Sequence, residues 1–316
     1  MKTVLVTGSN RSGTTWLGKM LSLSGKFLEV YEPFNHLIYT PKFFSQAPFA
    51  DHYHYVLQEE SSRVKRYVND RIIYSALTTQ STYTEGLGEL PKLDQIVKLY
   101  RGLNNLISLI IQKKRLLIKD PIGLLSADWL AREYGAQVIV LIRHPAAYVS
   151  SIKRLNWDMS LTSFSTQKEF MATLPEDLVS QINQQVNDRP PCDGYNLEDA
   201  ALSWKIFHYV IHAYQQLYPD WLFLKHEDLC RNFLQGFDHL YSWLALPFTE
   251  EIKNTMQQYC NRQDAVELGT NVHVLKRDSS IIPNLWRKNL NQDEVDRIRE
   301  ITEDIANFFY DDVSWK

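Results

Sequence analysis

The chain has 316 residues, 44% of them hydrophobic and 22% charged, with a net charge of −3. That composition supplies ample core for a soluble globular protein and excludes a disordered or fibrous chain. It also excludes the overall basicity of a nucleic-acid binder, so anionic ligands must be met by local arginines. The three cysteines, Cys192, Cys230 and Cys260, are odd in number and far apart. They form neither a disulfide framework nor a zinc spacing, which points to a reducing, cytoplasmic setting and to no bound metal. The chain runs straight into a strand without a cleavage-like segment, so no signal peptide is read. The apolar stretch 103–118 is broken by Asn104, Asn105, Gln112, Lys113, Lys114 and Arg115 and cannot span a bilayer.

Residues 3–7 are an apolar, β-branched run of the kind that forms a buried parallel strand. A tight small-residue loop follows from Gly8 to Gly13, then a helix over 14–24 with Leu17, Met20 and Leu21 on one face. Further strands are predicted at 27–31, 116–119, 138–142 and 222–225, and helices at 93–114, 126–134, 146–154 and 197–218. This alternation predicts an α/β fold, a P-loop-like central parallel sheet with helices on both faces, within a single domain over 1–316. The strand at 27–31 is expected to run beside the first, and ligands to bind at the carboxyl ends of the strands. Two stretches fit the alternation poorly. Residues 37–92 gather Tyr39, Phe43, Phe44, Phe49, Tyr53 and Tyr55, and residues 155–196 end in a turn-rich run from Asp188 to Gly194. They read either as caps over an acceptor site or as surface elaboration around an ordinary aromatic cluster.

Strand, loop and helix N-terminus together make an anion site, because the backbone N–H groups there lack partners and the helix dipole favours negative charge. The spacing Gly8-x4-Gly13 matches a phosphate-binding loop, yet Thr14 stands where the usual lysine would be. The loop therefore reads as a phosphate cradle not built for ATP and magnesium.

The string Arg11-Ser12-Gly13-Thr14-Thr15-Trp16 resembles the 5′-phosphosulfate loop of sulfotransferases that use 3′-phosphoadenosine 5′-phosphosulfate (PAPS). Residues 138–154, VIVLIRHPAAYVSSIKR, resemble that family's 3′-phosphate segment, a strand ending in Arg143, then Pro145, then a helix carrying Ser151. Arg11 occupies a position held by Lys in cytosolic sulfotransferases and by Arg in carbohydrate and tyrosyl-protein ones. The resemblance implies sulfuryl transfer from PAPS to a hydroxyl of a carbohydrate, glycolipid or small natural-product alcohol, without a metal. In that chemistry a charged group passes in line between two oxygens, and catalysis is mostly positioning and charge stabilisation.

The resemblance gives the 5′-phosphate to the loop N–H groups and to Ser12, Gly13, Thr14 and Thr15, and the sulfuryl charge to Arg11, whose guanidinium offers two parallel donors. It gives the 3′-phosphate to Arg143 and Ser151, and the adenine to Trp16, which also suits core packing in the first helical turn. The segment Tyr31-Glu32-Pro33-Phe34-Asn35-His36 is similar to the YEP-x-x-H segment of carbohydrate sulfotransferases, where the Glu is the general base. Glu32 is thus a candidate base, or a turn cap before Pro33, and His36 is the rival. His226-Glu227-Asp228 fills the slot of a family Tyr-Glu-Asp, with His226 in place of the adenine-contacting Tyr. Arg277 resembles the basic residue that closes over the 3′-phosphate, and it equally fits a solvated basic turn. Lys119, at a strand end, faces the sulfate or acceptor or forms a structural ion pair. Two other readings stay open, a P-loop-type phosphotransferase, which would need magnesium, and a catalytically silent nucleotide-binding module. No residue pattern indicates a nucleic-acid partner or fixes an oligomeric state.

Overall fold

The computed structural model describes residues 2–38, 41, 44–78, 114–189, 194–260 and 282–316. Among the described residues, five parallel strands form one sheet flanked by helices. They are β1 (Val4–Gly8), β2 (Phe27–Tyr31), β3 (Arg115–Lys119), β4 (Gln137–Ile142) and β5 (Leu222–Lys225), in the order β2-β3-β1-β4-β5. All five residues of β1 are buried, as expected for an interior strand covered on both faces. The predicted strands and the helices at 14–24, 126–134, 146–154 and 197–218 are present with ends shifted by a residue or two. Residues 93–113 of the helix expected over 93–114, and Tyr39, Phe43, Cys192 and Arg277, lie outside the described residues, and Lys114 is not helical.

One expectation is corrected. β2 does not run beside β1, because β3 lies between them and pairs with both. In register, Lys119 of β3 stands level with Val6 of β1 and with Tyr31 of β2. The chain leaves the three strands together, with Glu32 N–H donating to the Lys119 carbonyl (2.8 Å) and Asp120 N–H to the Val6 carbonyl (2.9 Å).

The chain divides into two compact units, residues 1–7 with 14–139, and residues 8–13 with 140–316. The first holds helices α1 (Thr14–Ser22), α2 (Ser61–Thr78) and α3 (Ala127–Tyr134). Leu17, Met20 and Leu21 of α1 are fully buried, and Gly135 in the left-handed conformation ends α3. Arg115 pins the amino end of β3, donating to the Lys2 carbonyl (2.7 Å) and to Gln137 Oε1 (2.6 Å).

The second unit holds α4 (Pro145–Leu155), α5 (Glu176–Asp188), α6 (Leu197–Leu217), α7 (His226–Arg231), α8 (Phe233–Trp243), α9 (Glu250–Cys260) and α10 (Gln292–Ala306). Pro145 opens α4, where its missing N–H and fixed φ cost nothing. Asn196 caps α6 by accepting from Asp199 N–H (3.0 Å), and Asn291 with Glu294 forms a capping box on α10.

Candidate active site

Gly8 (141°), which ends β1, and Arg11 (63°) and Gly13 (98°) in the loop after it have positive φ. The glycines answer to space as well as torsion. A Cβ on Gly8 would lie 2.4 Å from the Leu141 carbonyl oxygen, and one on Gly13 would lie 2.4 Å from His226 Cδ2. Arg11 carries a Cβ in a region that costs a non-glycine residue about 1–3 kcal/mol, a cost persisting only where neighbours fix the backbone. Those neighbours are visible. The Arg143 guanidinium donates from Nη1 to the Arg11 carbonyl, and Ser12 N–H donates to the Ser9 carbonyl (3.1 Å). Arg11 itself donates from Nε to Ser151 Oγ (3.0 Å) and lies 5.4 Å over the Trp157 ring. Asn10, buried beneath, accepts from the Tyr148 hydroxyl (2.9 Å).

The loop thus brings together Arg11, Arg143 and Ser151, which come from two separate sequence motifs. Ser9 Oγ, Ser12 Oγ and Arg143 Nε are buried and have no hydrogen-bond partner among the described residues. Buried polar atoms are seldom left so, and this set is the donor complement an oxyanion would satisfy. Burial pulls the Arg143 pKa down while Glu227 opposes it, and the group stays charged. The next residues along the chain, Thr14, Thr15 and Trp16, open α1. Thr14 is buried, and Thr15 and Trp16 are half-buried.

His226 sits at the start of α7 with its imidazole edge against Gly13 and its nitrogens 3.6–3.7 Å from Cys230 Sγ. Burial and then the Arg143 charge push its pKa down to about 3, so it is neutral at physiological pH. It serves the loop as a packing surface.

The other unit holds the second group of candidates. Glu32 follows β2 with φ 42°. Its Oε1 accepts from Lys119 Nζ (2.6 Å) and its Oε2 from Asn35 Nδ2 (2.9 Å), and the Tyr31 hydroxyl also donates to it. Lys119 is fully buried and its ammonium lies 3.4 Å from the centre of the Tyr31 ring. Of the two roles open for Lys119, the structure displays the ion pair. Burial alone would raise the Glu32 pKa. The charge of Lys119 and the three donors outweigh it, so the carboxyl lies below its usual range and is ionised at neutral pH.

Asp120 follows directly. It accepts from the backbone N–H groups of Phe34 (2.7 Å), Ile122 and Gly123 (2.9 Å each), which fixes the turn carrying Glu32. Burial and the nearby Glu32 charge raise its pKa to about 7. His36 stands apart from this hydrogen-bond set. Its ring meets Phe49 edge-on (6.4 Å, 90°) and His52 (5.7 Å, 75°), and its Nδ1 is buried without a partner. Burial and His36 lower the His52 pKa. Sequence reasoning did not single out Asn35, His52, Asp120 or Glu227. The signal for Asp120 was its place between Lys119 and Pro121 at a strand end. The signal for Asn35 was its spacing of three from Glu32.

The chain matches the model of the sulfotransferase family over residues 3–250. No curated protein matches it significantly. Among solved structures it is similar to a sulfotransferase domain from the curacin biosynthetic pathway, at 17% identity and TM-score 0.45, over 95% of this chain and 96% of that one. It is similar to a sulfotransferase from Mycobacterium avium, at 13% identity and TM-score 0.42, over 98% of this chain and 76% of that one. A mouse sulfotransferase complexed with PAP matches at 10% identity and TM-score 0.43, over 99% of this chain and 86% of that one.

Proposed function

This chain belongs to the sulfotransferase family, and we propose that it moves the sulfuryl group of PAPS to an acceptor hydroxyl, releasing 3′-phosphoadenosine 5′-phosphate (PAP). The observation that carries this reading is the junction of the two phosphate motifs. Arg143 holds the Arg11 carbonyl and Arg11 holds Ser151, while Ser12 Oγ and Arg143 Nε stay buried and unpartnered among the described residues. A nucleotide with phosphates at both its 5′ and 3′ positions presents two anions that donors gathered from the two motifs can meet.

In this reading the N–H groups of residues 11–15, with Ser12, Thr14 and Thr15, hold the 5′-phosphate. Arg11 neutralises charge developing on the sulfuryl oxygens, as pre-placed donors do in a water-poor site. Arg143 and Ser151 hold the 3′-phosphate, and Trp16 meets the adenine face. Glu32 takes the acceptor proton. It is ionised and hydrogen-bonded by Lys119, so it accepts only while the hydroxyl oxygen is bonding to sulfur and its own acidity is rising. The acceptor is a carbohydrate, glycolipid or small natural-product alcohol.

The test is to incubate the protein with sulfur-labelled PAPS, excess chelator and a panel of sugars, glycolipids and small alcohols. Labelled product with matching release of PAP is expected. Phosphoryl transfer from ATP that needs magnesium, with no transfer from PAPS, would reject the reading.

A further inference from the structure

The family match ends at residue 250, yet residues beyond it pack directly on the segment that carries Arg143. The peptide unit joining Arg143 to His144 is held at both of its polar groups. Its carbonyl, that of Arg143, accepts from Trp204 Nε1 (2.8 Å). Its N–H, that of His144, donates to Glu227 Oε1 (2.9 Å). The other oxygen of that carboxylate, Oε2, accepts from the Tyr310 hydroxyl (3.0 Å). The His144 ring is boxed in by Trp286, stacked at 5.4 Å and 8°, and by the edges of Tyr310 (4.9 Å) and Trp315 (4.6 Å). Neither imidazole nitrogen has a hydrogen-bond partner among the described residues, so the contacts seen on the ring are packing contacts.

A peptide plane pinned on both sides cannot rotate, and the direction in which Arg143 leaves the backbone is therefore preset. We propose that Glu227, itself held by Tyr310, is a positioning residue for recognition of the 3′-phosphate. It fixes the Arg143–His144 peptide so that the guanidinium stands ready with Nη1 on the Arg11 carbonyl and Nε free. Pre-organisation of this kind improves affinity by removing the ordering cost of the binding group. Pro145 follows immediately and has no N–H of its own, so the His144 N–H is the last backbone donor before α4 through which this segment can be held.

The inference rests on the PAPS reading, and the test separates the two. PAP and adenosine 5′-phosphate (AMP) differ only in the 3′-phosphate, so the ratio of their affinities isolates its recognition. Calorimetric titration of both is made on the native protein, Glu227→Ala, Glu227→Gln and Tyr310→Phe. The native protein is expected to prefer PAP. Glu227→Ala should cut that preference about tenfold, the worth of a hydrogen bond to a charged group, with AMP affinity unchanged. Glu227→Gln keeps an oxygen that accepts from His144 N–H and should restore most of the preference. Tyr310→Phe keeps the ring in the box and should give a loss of about threefold, which carries the test should Glu227→Ala not fold. A native protein that does not distinguish PAP from AMP would overturn the PAPS reading itself. A native preference left unchanged by Glu227→Ala and Tyr310→Phe would overturn the positioning role. So would PAP and AMP affinities that fall together, or a Gln variant as weak as the Ala variant.

Discussion

Replacing Lys119 with Met keeps the volume of the side chain and removes its charge. Lys119 is fully buried, and its ammonium stands 2.6 Å from Glu32 Oε1, whose side chain is 12% exposed. Removing one partner of such a pair leaves a buried carboxylate uncompensated, which costs about 3–5 kcal/mol. The pH dependence identifies the cause. In the native protein the folded pKa of Glu32 lies below its ordinary value of 4.5. Its contribution to stability is therefore present above that value and lost as pH falls through the folded pKa. In Lys119→Met the Asn35 and Tyr31 donors remain but the largest influence opposing burial is gone, so the folded pKa of Glu32 rises. The penalty should then be small in acid and grow as pH rises, reaching its full size near neutrality. Urea unfolding of both proteins at about pH 4 and about pH 7 measures it. Adding Glu32→Gln to Lys119→Met removes the stranded charge and should recover part of the loss at neutral pH. An equal cost at both pH values, or a double variant no more stable than the single one, would refute the reasoning.

Other consequences are open to direct measurement. Gly13→Ala places a Cβ 2.4 Å from His226 Cδ2 at a φ of 98°. It should weaken PAP binding by at least about tenfold, with partial recovery when His226→Ala is added, since space returns and torsional strain does not. Glu32→Gln should slow single-turnover sulfuryl transfer by roughly 10²–10⁴ and leave PAP affinity within about twofold, whereas a near-normal rate with a collapsed rate in His36→Ala would move the base to the histidine. Asp120, raised to about 7 by burial and by Glu32, should make the protein lose stability as pH rises from its ordinary 3.8 through about 7. Thermal unfolding across that range, with Asp120→Asn as reference, would contradict this if the two curves ran parallel.

The strands were legible because parallel strands buried on both faces leave continuous apolar runs, as in 138–142. The start of α4 was legible from Pro145. The helix α2 passed unnoticed in the polar stretch 37–92, although its buried residues Val64, Tyr67, Val68 and Arg71 fall at helical spacing. The neighbours of β2 were not legible, because local periodicity says which residues form a strand and nothing about its partner. The same limit hid the pairing of Glu32 with Lys119, which are 87 positions apart, and the hold of Glu227 on His144, 83 positions apart. The phosphate loop was legible in composition, since its glycines answer to positive φ and close contact. That Arg11 would share those torsions, with its carbonyl held by Arg143, emerges only once β1 and β4 take neighbouring places in the sheet.

The central claim is that Arg143 and its neighbours read a 3′-phosphate. The most direct measurement is the binding of PAP and AMP to the native protein and to Arg143→Ala by titration calorimetry. The account predicts that the native protein prefers PAP and that Arg143→Ala loses about 1.5–3 kcal/mol of PAP affinity, enough to bring PAP close to AMP. Equal binding of PAP and AMP by the native protein, or a preference for PAP that survives in Arg143→Ala, would contradict it.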